Sequence, residues 1–130
     1  MIPTRLHDIM QPDFPTLAED TPIRRAVATL VESRAPVAPV LGDDGRMTGL
    51  LTQKDCFRPA LHASYHQEWR GRVADHMSRN VISVEADAGL VLVAEMFLEH
   101  PHRVFPVMDQ GRVGGLVHRS DVLAALVRMG

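Results

Sequence analysis

The chain has 130 residues, of which 45% are hydrophobic and 23% charged, and carries a formal net charge of −2. That length allows one compact domain or two small half-domains sharing a core, and the composition is that of an ordinary globular protein. The charge leaves no basic footprint for a nucleic-acid partner. No apolar run is long enough to cross a bilayer, and Met1-Ile2-Pro3-Thr4-Arg5 lacks the regions of a secretory leader.

Arg5 to Met10 reads as a short lead-in helix, and Phe14-Pro15-Thr16-Leu17 as a short extended segment. Asp20-Thr21-Pro22 reads as a helix start, a capping oxygen ahead of a proline at the first helical position. Ile23, Ala26, Val27, Leu30 and Val31 follow at spacings of three and four, the apolar stripe of a helix reaching Ser33. Pro36 prevents its continuation. Val37 to Leu41 and Arg46 to Leu51 are strands around the turn Gly42-Asp43-Asp44-Gly45, a β-hairpin, and a helix follows from Thr52 through Asp55, Phe57 and Ala60. His62 to Gly71 is polar, holds the chain's single Tyr and single Trp, and reads as a helix extension plus linker or as a contact surface for a second chain.

The same order then recurs. Asp87 is placed to cap a helix with Leu90, Val93, Ala94, Phe97 and Leu98 on its inner face, stopped by Pro101. Val104 to Met108 and Arg112 to Val117 are strands around Asp109-Gln110-Gly111, and Arg119 to Val127 is a closing helix with Val122, Leu123, Leu126 and Val127 inward. The sequence itself repeats. Gly49-Leu50-Leu51-Thr52-Gln53-Lys54-Asp55 returns as Gly115-Leu116-Val117-His118-Arg119-Ser120-Asp121, Asp8-Ile9-Met10 as Asp75-His76-Met77, and Pro39-Val40 as Pro106-Val107. Each copy is β-α-β-β-α. Its hairpin is antiparallel, and its first strand reaches the hairpin only through a helical crossover. The expected fold class is therefore α+β, two small mixed sheets with helices on one side, related by a pseudo-twofold axis.

The chemistry of the repeated heptad follows from its residues. The glycine allows close backbone approach at a strand end. Thr52 stands at a helix N-terminus, where free N–H groups and the dipole favour phosphate, and its hydroxyl adds a donor. Asp55, one turn on, can accept both hydroxyls of a ribose. The plain alternative is an N-cap threonine with Asp55 and Asp121 favoured at the positive helix end.

Taken in order and twice over, the aspartate–methionine lead-in, the Thr or Ser before an acidic cap, the Pro-Val strand, the glycine turn and the closing Gly-x-x-Thr-x-x-Asp resemble a tandem pair of CBS domains, a Bateman module. The resemblance covers nearly the whole chain and implies a first repeat over 1–64, a linker over 65–71 and a second repeat over 72–130. It implies a non-catalytic regulator that senses an adenine nucleotide (AMP, ADP, ATP) or a related adenosyl ligand such as S-adenosylmethionine in the cleft between repeats, works as a homodimer and acts on a regulated protein. In the first site it points to Thr52, Lys54 and Asp55, completed by Thr16 and the backbone of Val37, Ala38 and Pro39. In the second it points to His118, Arg119, Ser120 and Asp121, with Ser83, Val104, Phe105 and Pro106 as the other wall. His118 stands where Thr52 supplies a hydroxyl; it can donate to phosphate, or crowd it. The second site is thus expected to be the weaker.

Other patterns read more plainly. His62 and His66 have a zinc-compatible spacing, but no carboxylate or cysteine completes a local set, so no metal site is assigned. His100 and His102 suit a helix C-terminus. Cys56, the single cysteine, excludes an internal disulfide and points to a reducing cytoplasm; it reads as a small apolar residue or, beside Asp55, as a redox-sensitive thiol. Leu61, Tyr65, Val122, Leu126 and Met129 are candidate dimer contacts, with completion of the core as the other role. No nucleophile–base–acid set or Walker-type loop supports catalysis. A structural dimerisation scaffold with vestigial pockets and a small metal-binding protein are the competing functions.

Overall fold

The computed structural model describes residues 5–129. The stretch Met1 to Thr4, read above for a leader, and the terminal Gly130 lie outside the described residues. The elements are α1 (Leu6–Ile9), β1 (Leu17–Ala18), α2 (Ile23–Ser33), β2 (Val37–Leu41), β3 (Met47–Thr52) and α3 (Gln53–His66). The second series is α4 (Val73–His76), β4 (Val84–Glu85), α5 (Leu90–Glu99), β5 (Val104–Asp109), β6 (Arg112–His118) and α6 (Arg119–Met129).

Each repeat builds a three-stranded sheet, β1-β2-β3 or β4-β5-β6, with a parallel pair and an antiparallel hairpin. The fold class is α+β, as the sequence indicates. The chain divides into two compact units that do not coincide with the sequence repeats. The first-repeat unit is Pro15–Val81; the second-repeat unit joins the segment ending at Phe14 to everything from Ile82 onward. Each lead-in therefore packs in the unit of the other repeat. Leu6 of α1 is fully buried in the core that holds Phe105, Val107 and Val117, and Val73 of α4 in the core that holds Leu30, Val40 and Leu51.

A backbone bridge anchors each lead-in to an edge strand. Leu50 and Ser78 exchange two N–H···O bonds of 2.9 Å, and Gln11 and Leu116 exchange bonds of 2.7 and 3.0 Å. Gly49 and Gly115 make this approach possible. A Cβ on Gly49 would lie 2.7 Å from Met77 Sδ and 2.8 Å from the Ser78 carbonyl oxygen; one on Gly115 would lie 2.8 Å from Met10 Cγ and 2.9 Å from the Gln11 carbonyl oxygen. The glycine and the Asp-x-Met motif, which recur together in sequence, are two sides of one contact.

The lead-ins also change the helix starts. Pro22 is the N-cap of α2, not its first residue, and no side chain caps the helix. The Ile23 N–H donates instead to the Gly71 carbonyl at 3.1 Å, while the Thr21 hydroxyl accepts from the Ala18 N–H. Likewise α5 starts after Gly89, which bridges to Arg5, and Asp87 is exposed rather than capping. Backbone from the lead-in segment stands where local side-chain caps were expected.

The helical stripes are narrower than the sequence indicates. Leu98, Leu123 and Val127 point outward with 88%, 60% and 77% of their surface exposed, and Val31 is exposed as well. A helix lying on a three-stranded sheet buries only the positions that face it. On α6 these are Val122 and Ala125, with Leu126 packed beside them. Val122 therefore belongs to the core and not to the candidate dimer contacts. In α3 the helix continues to His66 and ends at Gln67 in the left-handed region, and Trp69 of the connecting segment packs against the first-repeat core.

Cys56 is buried, and its thiol donates to the Thr52 carbonyl oxygen at 3.3 Å. Burial, with Asp55 as a lesser cause, pushes the thiol up to about 11. That favours the small apolar role over redox sensing. Native protein at pH 8 should react with a disulfide reagent roughly a hundred-fold more slowly than free cysteine and reach full reactivity only on unfolding; rapid native labelling would contradict this. For the lead-in contact, Gly49→Ala and Gly115→Ala should each destabilise by about 1–3 kcal/mol, since backbone must shift to admit the methyl. Denaturant titration with both transitions unmoved would show that the approach is not tight.

Candidate functional site

The end of β3 and the first turn of α3 form one rigid corner. Thr52 is the N-cap: its Oγ1 accepts from the Asp55 N–H at 3.1 Å, and its own N–H donates to Asp55 Oδ2 at 3.0 Å, a reciprocal capping box. The structural role weighed for these residues is thus realised. It leaves chemistry available. The Thr52 hydroxyl proton is not used by the cap, and Asp55 Oδ1 accepts no hydrogen bond among the described residues. Both side chains are partly buried, and Lys54 between them is exposed. Gln53, at the first helical position, faces away from this role: its N–H donates to the Pro36 carbonyl and its side-chain amide to the Ala35 carbonyl, each at 2.9 Å.

The hairpin register brings the other first-site residues to the same end of the sheet. Val37 lies opposite Thr52, Ala38 opposite Leu51 and Pro39 opposite Leu50. β1 pairs with β2 only from Leu17 opposite Val40, so Thr16 leaves the ladder level with Pro39, which has no N–H to continue it. Ala38 and Pro39 are fully buried and Val37 nearly so, leaving backbone rather than side chain as their contribution.

The second-repeat unit repeats the register: Val104 opposite His118, Phe105 opposite Val117, Pro106 opposite Leu116, with Ser83 just ahead of β4. Phe105 is a core residue, 4.3 Å from Phe97 and 5.4 Å from His102 between ring centroids. The first turn of α6 differs from that of α3. The His118 N–H donates to Asp121 Oδ2 at 3.0 Å, as in the first copy, but the side chain brings no hydroxyl to accept the Asp121 N–H. Its Nδ1 instead sits 3.3 Å from the same Asp121 oxygen. The other oxygen, Oδ1, accepts from the Gln11 side-chain amide at 3.3 Å. Arg119 and Ser120 are exposed. Gln11 is the site neighbour that the sequence reading missed. Its signal lay in the lead-ins: where Met77 is followed by Ser78, Met10 is followed by Gln11.

Of the remaining candidates, His62 and His66 stack at 4.4 Å between centroids, and no group of three metal-type side chains occurs among the described residues. His100 is the C-cap of α5 through its backbone N–H, while its ring lies edge-on to His102. No helix among the described residues is long and apolar enough to cross a membrane.

Comparison with known proteins identifies the family and the fold. The chain is 26% identical over 121 residues to protein MJ1225 of Methanocaldococcus jannaschii, an alignment covering 93% of this chain but only 42% of that relative's length. Its fold matches CBSX2 from Arabidopsis thaliana, solved in complex with AMP, with a TM-score of 0.82 at 24% identity over 96% of this chain and 97% of the other. It also matches the CBS domain pair of protein MJ0100, solved with 5-methylthioadenosine and S-adenosyl-L-methionine, with a TM-score of 0.75 at 22% identity over 99% of this chain and 100% of the other. The family model described as CBS domain matches twice, over residues 6–61 and 73–128, so the chain belongs to the CBS domain family as a tandem pair.

Proposed function

We propose that this chain is a regulatory module that senses an adenosyl-containing nucleotide, AMP, ADP or ATP, with its principal site at the first turn of α3. One observation carries the reading: a capping box that orients Asp55 leaves one of its oxygens and the Thr52 hydroxyl proton without a partner among the described residues, beside Lys54. A phosphate suits the hydroxyl, the ammonium and the helix N-terminus. A ribose suits the unpaired carboxylate oxygen. Thr16 and the backbone at Val37 to Pro39 stand at the same end of the sheet and supply the wall. AMP in the CBSX2 structure, and methylthioadenosine and S-adenosylmethionine in that of MJ0100, support an adenosyl ligand as the chemical class. Ligand binding then acts by population shift, favouring the arrangement of helices in which it is held best and so recruiting or releasing a regulated protein.

The second part of the proposal is a cytoplasmic homodimer formed through the outer helix faces. On α2 and α3, Val31, Phe57, Leu61 and Tyr65 are 64%, 65%, 54% and 79% exposed. A groove of about 180 Å³ runs between these helices over Val27, Leu30 and Cys56. The outer faces of α5 and α6 carry Leu98, Leu123 and Val127 in the same manner. Side chains of this size in such density are what a second copy would cover.

Two measurements test this. Asp55→Ala, folded by circular dichroism, should lose about ten-fold or more in affinity for AMP and ATP by calorimetric titration; unchanged affinity would remove Asp55 from the site. Light scattering at micromolar concentration should give the dimer mass, and Phe57→Glu with Leu61→Glu should give the monomer. A wild-type monomer, with and without nucleotide, would end the dimer proposal.

A further inference from the structure

The two copies differ where their heptads meet the lead-ins. Ser78 and Gln11 occupy equivalent positions, each bridged through its backbone to the strand residue after the repeated glycine, Leu50 or Leu116. With the backbones in equivalent register, side-chain reach decides what each can touch. The serine does not engage Asp55 among the described residues. The glutamine amide extends to Asp121 Oδ1 at 3.3 Å, across 110 positions of sequence. Asp121 Oδ2 is taken by the His118 N–H at 3.0 Å, with the His118 ring 3.3 Å away. Both oxygens of Asp121 therefore have protein partners, whereas Asp55 has one without a partner among the described residues.

We infer that Gln11 is a built-in competitor for ligand at the second site: its amide holds the carboxylate oxygen that a ribose hydroxyl would take, and this contact, beside the His118 ring, makes that site the weaker. The inference rests on the adenosyl reading above. An amide N–H and a ribose O–H are donors to the same oxygen, so a ribose hydroxyl competes with Gln11 at Asp121 Oδ1 and finds one of its two acceptor positions taken. The contact is solvent-accessible, so displacing it should cost about ten-fold in affinity rather than abolish binding.

The test isolates the second site in an Asp55→Ala/His118→Thr protein and titrates AMP with and without Gln11→Ser, the residue type the other lead-in carries. Calorimetry should show about ten-fold tighter binding when Gln11 is replaced. The reciprocal Ser78→Gln, in otherwise wild-type protein, should weaken the first site. Second-site affinity unchanged by Gln11→Ser, on proteins of equal thermal stability, overturns the inference while leaving first-site binding and the adenosyl reading intact. Absence of AMP, ATP and S-adenosylmethionine binding in wild type and in every variant overturns both. A nucleotide-free check accompanies these titrations. The Gln11 side-chain amide resonances should move on Asp121→Asn, and stationary resonances mean that the contact does not form and likewise overturn the inference.

Discussion

The fold depends on the close contact between each lead-in and a glycine-bearing edge strand. A repeat taken alone would be a β-α-β-β-α unit with β3 or β6 exposed at its edge, and an open edge is both a liability and a loss of core. The Asp-x-Met segment bridges to that edge, and the leucine or valine that opens its helical turn enters the core. Its flanking backbone also pairs beside the start of the long helix in the unit that it joins, Arg72 with Pro22 before α2 and Arg5 with Gly89 before α5. One segment of seven residues, Arg5 to Gln11 or Arg72 to Ser78, thus serves the edge, the core and a helix start at once. Because each lead-in does this for the unit of the other repeat, neither sequence repeat is complete by itself.

The heptad joins fold and candidate site in the same atoms. Asp55 is fixed by capping before any ligand arrives, which is what a binding carboxylate needs: its rotamer is set by the helix that it starts. In the second copy the same aspartate is held by the backbone and by a glutamine amide, with the His118 ring nitrogen 3.3 Å from its Oδ2. Half of the capping box survives the loss of the threonine hydroxyl: the His118 N–H still donates to the carboxylate, while the side chain offers the Asp121 N–H no hydroxyl acceptor.

Divergence extends to the lead-in anchors. In the first-repeat unit Glu19 is held below the usual carboxylate range by Thr48 and Arg79, and Arg79 pairs with it at 3.0 Å. The equivalent positions in the other unit are Ala86, Gly114 and Pro12, so that polar set is absent as a whole. What holds the side chains of the N-terminal lead-in there is apolar contact through Leu6 and Met10, and Gln11 on Asp121. Substituting all three members together is physically coherent, since an unpaired survivor would gain nothing from its place.

The sequence alone determined the elements, the duplication, the α+β class and the corner at Thr52 and Asp55. Those features rest on local rules: apolar periodicity, proline and glycine punctuation, and a capping pair three residues apart, all readable within a turn or a hairpin. Tertiary structure decided three things that local rules do not reach. Leu98, Leu123 and Val127 satisfy the periodicity of an inner face, yet the width of a three-stranded sheet leaves them outside. Thr21 and Asp87 have the chemistry of caps, but backbone from a distant segment stands at those helix starts. The exchange of lead-ins and the reach of Gln11 to Asp121 span a large part of the chain, and no spacing rule links residues that meet only because a strand edge, cleared by a glycine, accepts a segment from the other repeat.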